Sequence, residues 1–164
     1  MSSQSPGSQF CVGTLVASKY VLTSAQCVHG KSPSSIYLMI GDQDLAAFKE
    51  TEAETELRVS RVLVHDSFQP INKIKDIALL ELTEEVDLTV HTPACLPVGG
   101  EVTGDHAQVT GWDDTTFKLS TVAAHIVNYC TGEVICAAAI NSSLPSGACQ
   151  VTILILTNDT EAII

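Results

Sequence analysis

The chain is 164 residues long with 45% hydrophobic composition, enough for a packed core in one domain or two small units sharing an interface. Eight Lys and Arg stand against nineteen Asp and Glu, a net charge of −11. That charge argues against nucleic acid and against anionic membrane surfaces, both of which require a basic face. No run of eighteen apolar residues occurs, so nothing in the sequence reads as a membrane span.

The first nine residues are a polar leader with neither a basic region nor an apolar segment, so no signal peptide is visible. Phe10 to Val16 and Tyr20 to Thr23 are short apolar runs joined by Ala17-Ser18-Lys19, which read as a hairpin. Thr23-Ser24-Ala25-Gln26-Cys27 follows. Ile36 to Ile40 is the next strand. From Asp42 to Glu56 the chain carries Asp42, Asp44, Glu50, Glu52, Glu54 and Glu56 against a single Lys49, a charge run that reads as a solvated face.

Leu57 to Val64 alternates as a half-buried strand, predicting Leu57, Val59, Arg61 and Leu63 on one face and Arg58, Ser60, Val62 and Val64 on the other. His65-Asp66-Ser67-Phe68 is a turn, and Ile77-Ala78-Leu79-Leu80-Glu81-Leu82 is a nearly continuous apolar strand preceded by Asp76. Val109-Thr110-Gly111-Trp112 opens a further strand. After Lys118 no Lys or Arg remains. Six cysteines among short strands favour an oxidising, extracellular compartment, with a cytosolic protein as the alternative. Cys11 and Cys27 have no Cys-x-x-Cys or histidine spacing beside them, so a structural role outweighs a metal or redox one.

Several of these stretches resemble the trypsin-like (chymotrypsin-fold) serine proteases. Phe10-Cys11-Val12-Gly13-Thr14-Leu15 is similar to that family's Phe-Cys-Gly-Gly-Ser/Thr-Leu, and Thr23-Ser24-Ala25-Gln26-Cys27 to its Thr-Ala-Ala-His-Cys. Lys75-Asp76-Ile77-Ala78-Leu79-Leu80-Glu81-Leu82 is similar to its Asn-Asp-Ile-Ala-Leu-Leu-Lys-Leu. Thr92-Pro93-Ala94-Cys95-Leu96-Pro97 resembles the link between its two barrels, and Val109 to Trp112 the first strand of the second barrel. The resemblance runs from Phe10 to Gln150. It implies an all-β fold, a chymotrypsin-like double Greek-key β-barrel with the second barrel incomplete, in which residues 10–97 form the first barrel and 98–164 a partial second.

The resemblance puts the family's catalytic histidine at Gln26, and a carboxamide has no titratable nitrogen to take a proton from a serine hydroxyl. Asp76 keeps the family's triad aspartate, the residue that orients the histidine in the general template for this chemistry. With Gln26 opposite, Asp76 is expected to accept a hydrogen bond from the carboxamide NH₂ and to act as a buried structural anchor. His29, three residues on, reads as a surface histidine and not as a substitute base.

Aligning Ser146-Gly147-Ala148-Cys149-Gln150 with the family's Lys-Asp-Ser-Cys-Gln places Ile153 at the nucleophile, Val151 at the oxyanion-hole glycine and Gly147 at the base of the specificity pocket. Gly147 is incompatible with a preference for Arg or Lys. The resemblance also implies disulfides Cys11–Cys27 and Cys130–Cys136, a free or intermolecular thiol at Cys95, and a Cys149 without its usual partner. Asp113 replaces a glycine after Trp112, which suggests a remodelled loop.

In many relatives the loop that aligns with 42–56 holds calcium, which would fall to Asp42 and Glu54; no other cofactor is implied. Sequons at Asn141 and Asn158 would carry glycans on a secreted chain. The N-terminus is read as cut short or foreign to the native chain. Stopping at Ile164 would leave the second barrel open and an apolar strand edge exposed. Three readings follow. One is an inactive homologue that binds a protein partner, a protease or an inhibitor; the second is a truncated or frame-shifted fragment of an active secreted endopeptidase; the third is a non-functional relic. Val151-Thr152 standing in place of Gly-Asp is a change that a one-base deletion can produce.

Overall fold

A computed structural model of the chain describes residues 11–47, 54–96, 107–112, 116–127, 136–139, 152–157 and 160–163. Among the described residues it is all-β apart from one short helix and one 3₁₀ turn, with ten strands in two five-stranded antiparallel sheets. The first sheet holds β1 (Gly13–Ala17), β2 (Tyr20–Thr23), β3 (Tyr37–Ile40), β4 (Thr55–Val64) and β5 (Ala78–Leu82), in the order β1-β2-β5-β4-β3. The second holds β6 (Ala107–Trp112), β7 (Leu119–Val127), β8 (Cys136–Ala139), β9 (Thr152–Thr157) and β10 (Thr160–Ile163), in the order β10-β9-β6-β7-β8.

One apolar cluster explains the shape of the first sheet. Leu15 of β1, Val21 of β2, Leu57 and Val59 of β4, and Leu80 and Leu82 of β5 share it, with Leu38 and Ile40 of β3 packed against it. Both edge strands reach the same core as the central one, so the sheet curls into a half barrel around it. The central β5 alternates as its sequence dictates, with Ala78, Leu80 and Leu82 at 2%, 1% and 0% exposure pointing inward. The second sheet remains open among the described residues, with β8 and β10 at its edges. This is the chymotrypsin-like all-β architecture with an incomplete second barrel.

The hairpin of β1 and β2 turns on Ser18 and Lys19, since Ala17 already pairs with Tyr20. Gly13 sits opposite Thr23 in that ladder, and a Cβ there would lie 2.7 Å from Val21 Cγ1 and 3.2 Å from the Leu22 carbonyl oxygen. A side chain at 13 would push the two strands apart. The segment after β5 returns over the hairpin: Leu82 and Val86 amides donate to the carbonyls of Lys19 and Ser18, and the Ala94 amide donates to Leu15.

β4 departs from the alternation its sequence predicts. Val59 pairs with Leu82 and Arg61 with Glu81, so Ser60 is an extra residue bulged out of the ladder. A one-residue slip moves every following side chain to the other face. Leu57 and Val59 are buried, but it is Val62 and Val64 that pack against the core beyond the bulge, while Arg61 and Leu63 turn outward. The bulge is held by Ser60 Oγ, which donates to the Glu81 carbonyl at 3.0 Å, and Arg61 Nε meets Glu81 Oε2 at 3.0 Å across the pair.

Candidate active site

Thr23 ends β2 and Ser24, in extended conformation, starts helix α1 (Ala25–Val28). Helical periodicity then divides four consecutive side chains. Ala25, Cys27 and Val28 are buried at 0%, 9% and 2% exposure, and Gln26 faces outward. The helix is secured at Cys27, whose sulfur is bridged to Cys11 with the Cα atoms 6.0 Å apart. Ser24 Oγ lies 2.9 Å from Cys27 Sγ, and Thr23 Oγ1 donates to the Val12 carbonyl at 2.7 Å beside the bridge.

Asp76 arrives from the opposite direction. It follows the loop 69–75, which closes through Gln69 N–H to the Ile74 carbonyl and Lys73 N–H to the Gln69 carbonyl, with Lys73 and Lys75 both at positive φ. The Ile77 amide donates back to Lys75, so the chain kinks sharply around Asp76 before β5 begins. Its carboxylate Oδ1 accepts the backbone N–H of Gln26 at 2.7 Å. Two expectations are corrected here. The donor is the peptide amide of residue 26 and not its carboxamide, because a four-residue helix leaves its leading amides without carbonyl partners. Asp76 is also only half-buried, and no polar or charged side chain among the described residues is fully buried.

His29 lies at the C-terminal end of α1, where the backbone has left the helix, and is exposed with its ring edge-to-face on Phe68 at 5.4 Å. It occupies neither the position nor the direction of residue 26. His65 is likewise engaged locally, with Nδ1 accepting the Ser67 amide at 3.0 Å.

Ile153 stands in the interior of β9, directly opposite Val109 of β6, with Thr152 and Leu154 paired to Thr110 and Gln108 on either side. Its backbone is therefore part of a continuous ladder. Cys136 opens β8 opposite Val127. Gly147, Val151, Asp113, Cys130, Cys149, Asn141 and Asn158 lie outside the described residues, and with them the specificity pocket, the Cys130–Cys136 pairing and both sequons. Cys95 is exposed and unbridged.

The described part of the acidic loop, at 42–47, is folded on its own backbone. Asp42 Oδ1 accepts the Asp44 amide at 3.1 Å, and Asp44 Oδ1 accepts the Ala46 amide at 3.0 Å. Burial pushes the Asp42 carboxyl above its ordinary range, the hydrogen bond from Asp44 opposes this, and the charges of Glu54 and Asp44 add to the rise. Even so, the described residues bring together no group of three or more acidic, His or Cys side chains suited to a metal, and Lys118 Nζ lies 3.7 Å from Asp44 Oδ2. The sequence carries no sign of Lys118 at this loop, since the two are joined only by the meeting of the sheets.

A curled β-sheet with a disulfide-anchored helical turn, and a carboxylate holding the residue on that turn, defines the class of chymotrypsin-like serine proteases and their homologues. Comparison with known proteins is specific. The family model described as Trypsin matches residues 1–153, and the chain belongs to the trypsin family. It is 38% identical over 104 residues to "Serine protease filzig" of Drosophila melanogaster, covering 62% of this chain and 6% of that protein. It is 30% identical over 121 residues to "Venom serine protease 34" of Apis mellifera, covering 69% of this chain and 30% of that protein. The chain therefore spans less than a third of each of these two relatives.

Proposed function

We propose that this chain is a secreted, trypsin-family homologue that binds protein without cleaving it, through the surface around Gln26 and Asp76. The observation that carries the reading is the side chain at position 26. A glutamine cannot cycle a proton between nucleophile and leaving group, whatever the geometry around it. Ile153, aligned with the nucleophile, would add a second loss, because an aliphatic side chain carries no hydroxyl to activate. The Cys11–Cys27 bridge supports an oxidising compartment.

The test is direct. The purified chain is incubated with peptide and ester substrates and with a fluorophosphonate probe, beside active trypsin. Neither turnover nor serine labelling is expected, since loss of the base or the nucleophile alone costs on the order of a millionfold. Labelling at any serine overturns the reading.

One observation favours a second reading, a fragment of an active secreted endopeptidase. Asp76 still grips the backbone of residue 26, which is the support a histidine base at that position would use. Transcript sequence around Gln150 separates the two: a Gly-Asp-Ser-Gly-Gly motif in another frame supports the fragment.

A further inference from the structure

The two sheets are joined by a short ladder between the acidic loop and the start of β7. Asp44 and Lys118 form an isolated antiparallel bridge. Its two bonds run in opposite directions, Leu45 N–H to the Phe117 carbonyl at 3.0 Å and Leu119 N–H to the Gln43 carbonyl at 2.8 Å. Above it the Lys118 ammonium reaches Asp44, whose side chain is 17% exposed, while the lysine itself is 70% exposed.

Three features make this ladder unlike an ordinary pair of strands. Among the described residues, the apolar core cluster draws on the first sheet and its connections. Phe117, whose carbonyl accepts the first bond, has φ of 58°, a left-handed conformation that a bulky residue adopts only when its surroundings impose it. Lys118 reaches Asp44, and Asp44 in turn neighbours Asp42, whose carboxylate accepts the Asp44 amide and is raised by the charges of Glu54 and Asp44.

We infer that residues 43–45 and 117–119 form a salt-sensitive latch between the two sheets, in which the Lys118–Asp44 ion pair holds the ladder closed against the backbone strain at Phe117. Releasing the ion pair lets Phe117 return to an unstrained conformation and opens the ladder between the sheets. This inference stands whether or not the chain cleaves protein.

Amide hydrogen exchange on the full chain reads the latch at its two donors, Leu45 and Leu119. Lys118→Met is expected to speed exchange at both by about two- to fivefold, the range of a partly exposed ion pair, while Lys118→Arg keeps the wild-type rate. About 1 M NaCl should reproduce the Met phenotype in the wild-type chain, because the Debye length falls to about 3 Å. Phe117→Asn, a residue that tolerates positive φ, should slow exchange at the same amides. The Leu80 amide in β5 should be unaffected throughout. Unchanged exchange at Leu45 and Leu119 in high salt overturns the inference, as does acceleration that Leu80 shares. The salt titration needs no variant, so it decides the matter even if Lys118→Met fails to fold.

Discussion

The peptide amide of Gln26 donates to Asp76 Oδ1 at 2.7 Å, across 50 residues of sequence. The carboxylate therefore supports the backbone at position 26 irrespective of which side chain stands there. The contact also serves the fold by satisfying a leading amide of α1.

Asp76→Ala should accordingly destabilise the chain. A hydrogen bond to a charged group contributes about 1.5–3 kcal/mol, and partial exposure puts this one at the lower end. Urea denaturation followed by fluorescence measures it. A loss near zero would mean that water replaces the carboxylate at no cost.

Gln26→His alone should recover no turnover. The new imidazole would stand on an intact backbone beside an intact carboxylate, with Ile153 offering no hydroxyl to activate. The assay is hydrolysis of a thioester substrate by the variant. Measurable activity would place the nucleophile elsewhere, with Ser143 and Ser146 the first candidates.

Asp42→Asn should raise stability at neutral pH. The folded carboxyl titrates above its ordinary value of 3.8, chiefly because it is partly buried, so its favourable contribution is present below that value and is lost as pH rises through the folded pKa. Above it, the wild-type chain carries an unfavourable charge that Asn removes while keeping an oxygen for the Asp44 amide. Thermal unfolding at pH 7 should show a gain on the order of 1–3 °C, shrinking at pH 3. A loss of stability at pH 7 would show that the charge is favourable, as with a bound cation.

Cys11→Ser should cost about 3 kcal/mol, the chain-entropy value for closing a loop of this length. The damage should centre on α1, whose buried Cys27 would be left an unbridged thiol. Chemical denaturation with and without reductant checks both points, and equal stability in the two conditions would refute it.

The reach of the sequence differs sharply between the two halves. The run from Ile77 to Leu82 and the hairpin around Ser18 were legible because strand period and turn chemistry are local properties. Gln26 and Asp76 could be located by motif, since the neighbouring cysteine and apolar strand mark them. Local sequence determined those elements and the glutamine at position 26.

Tertiary structure decided what depends on partners distant in the chain. The bulge at Ser60 answers to the register of Glu81 and Leu82 on β5, and it reversed which face of Arg61 to Val64 meets the core. The peptide donor to Asp76 exists because α1 is only one turn long and β5 delivers the carboxylate to its open amides. The pairing of Asp44 with Lys118 exists because two sheets meet there. Register, helix-end satisfaction and charge pairing between sheets are set by three-dimensional proximity, and no local pattern of residues encodes them.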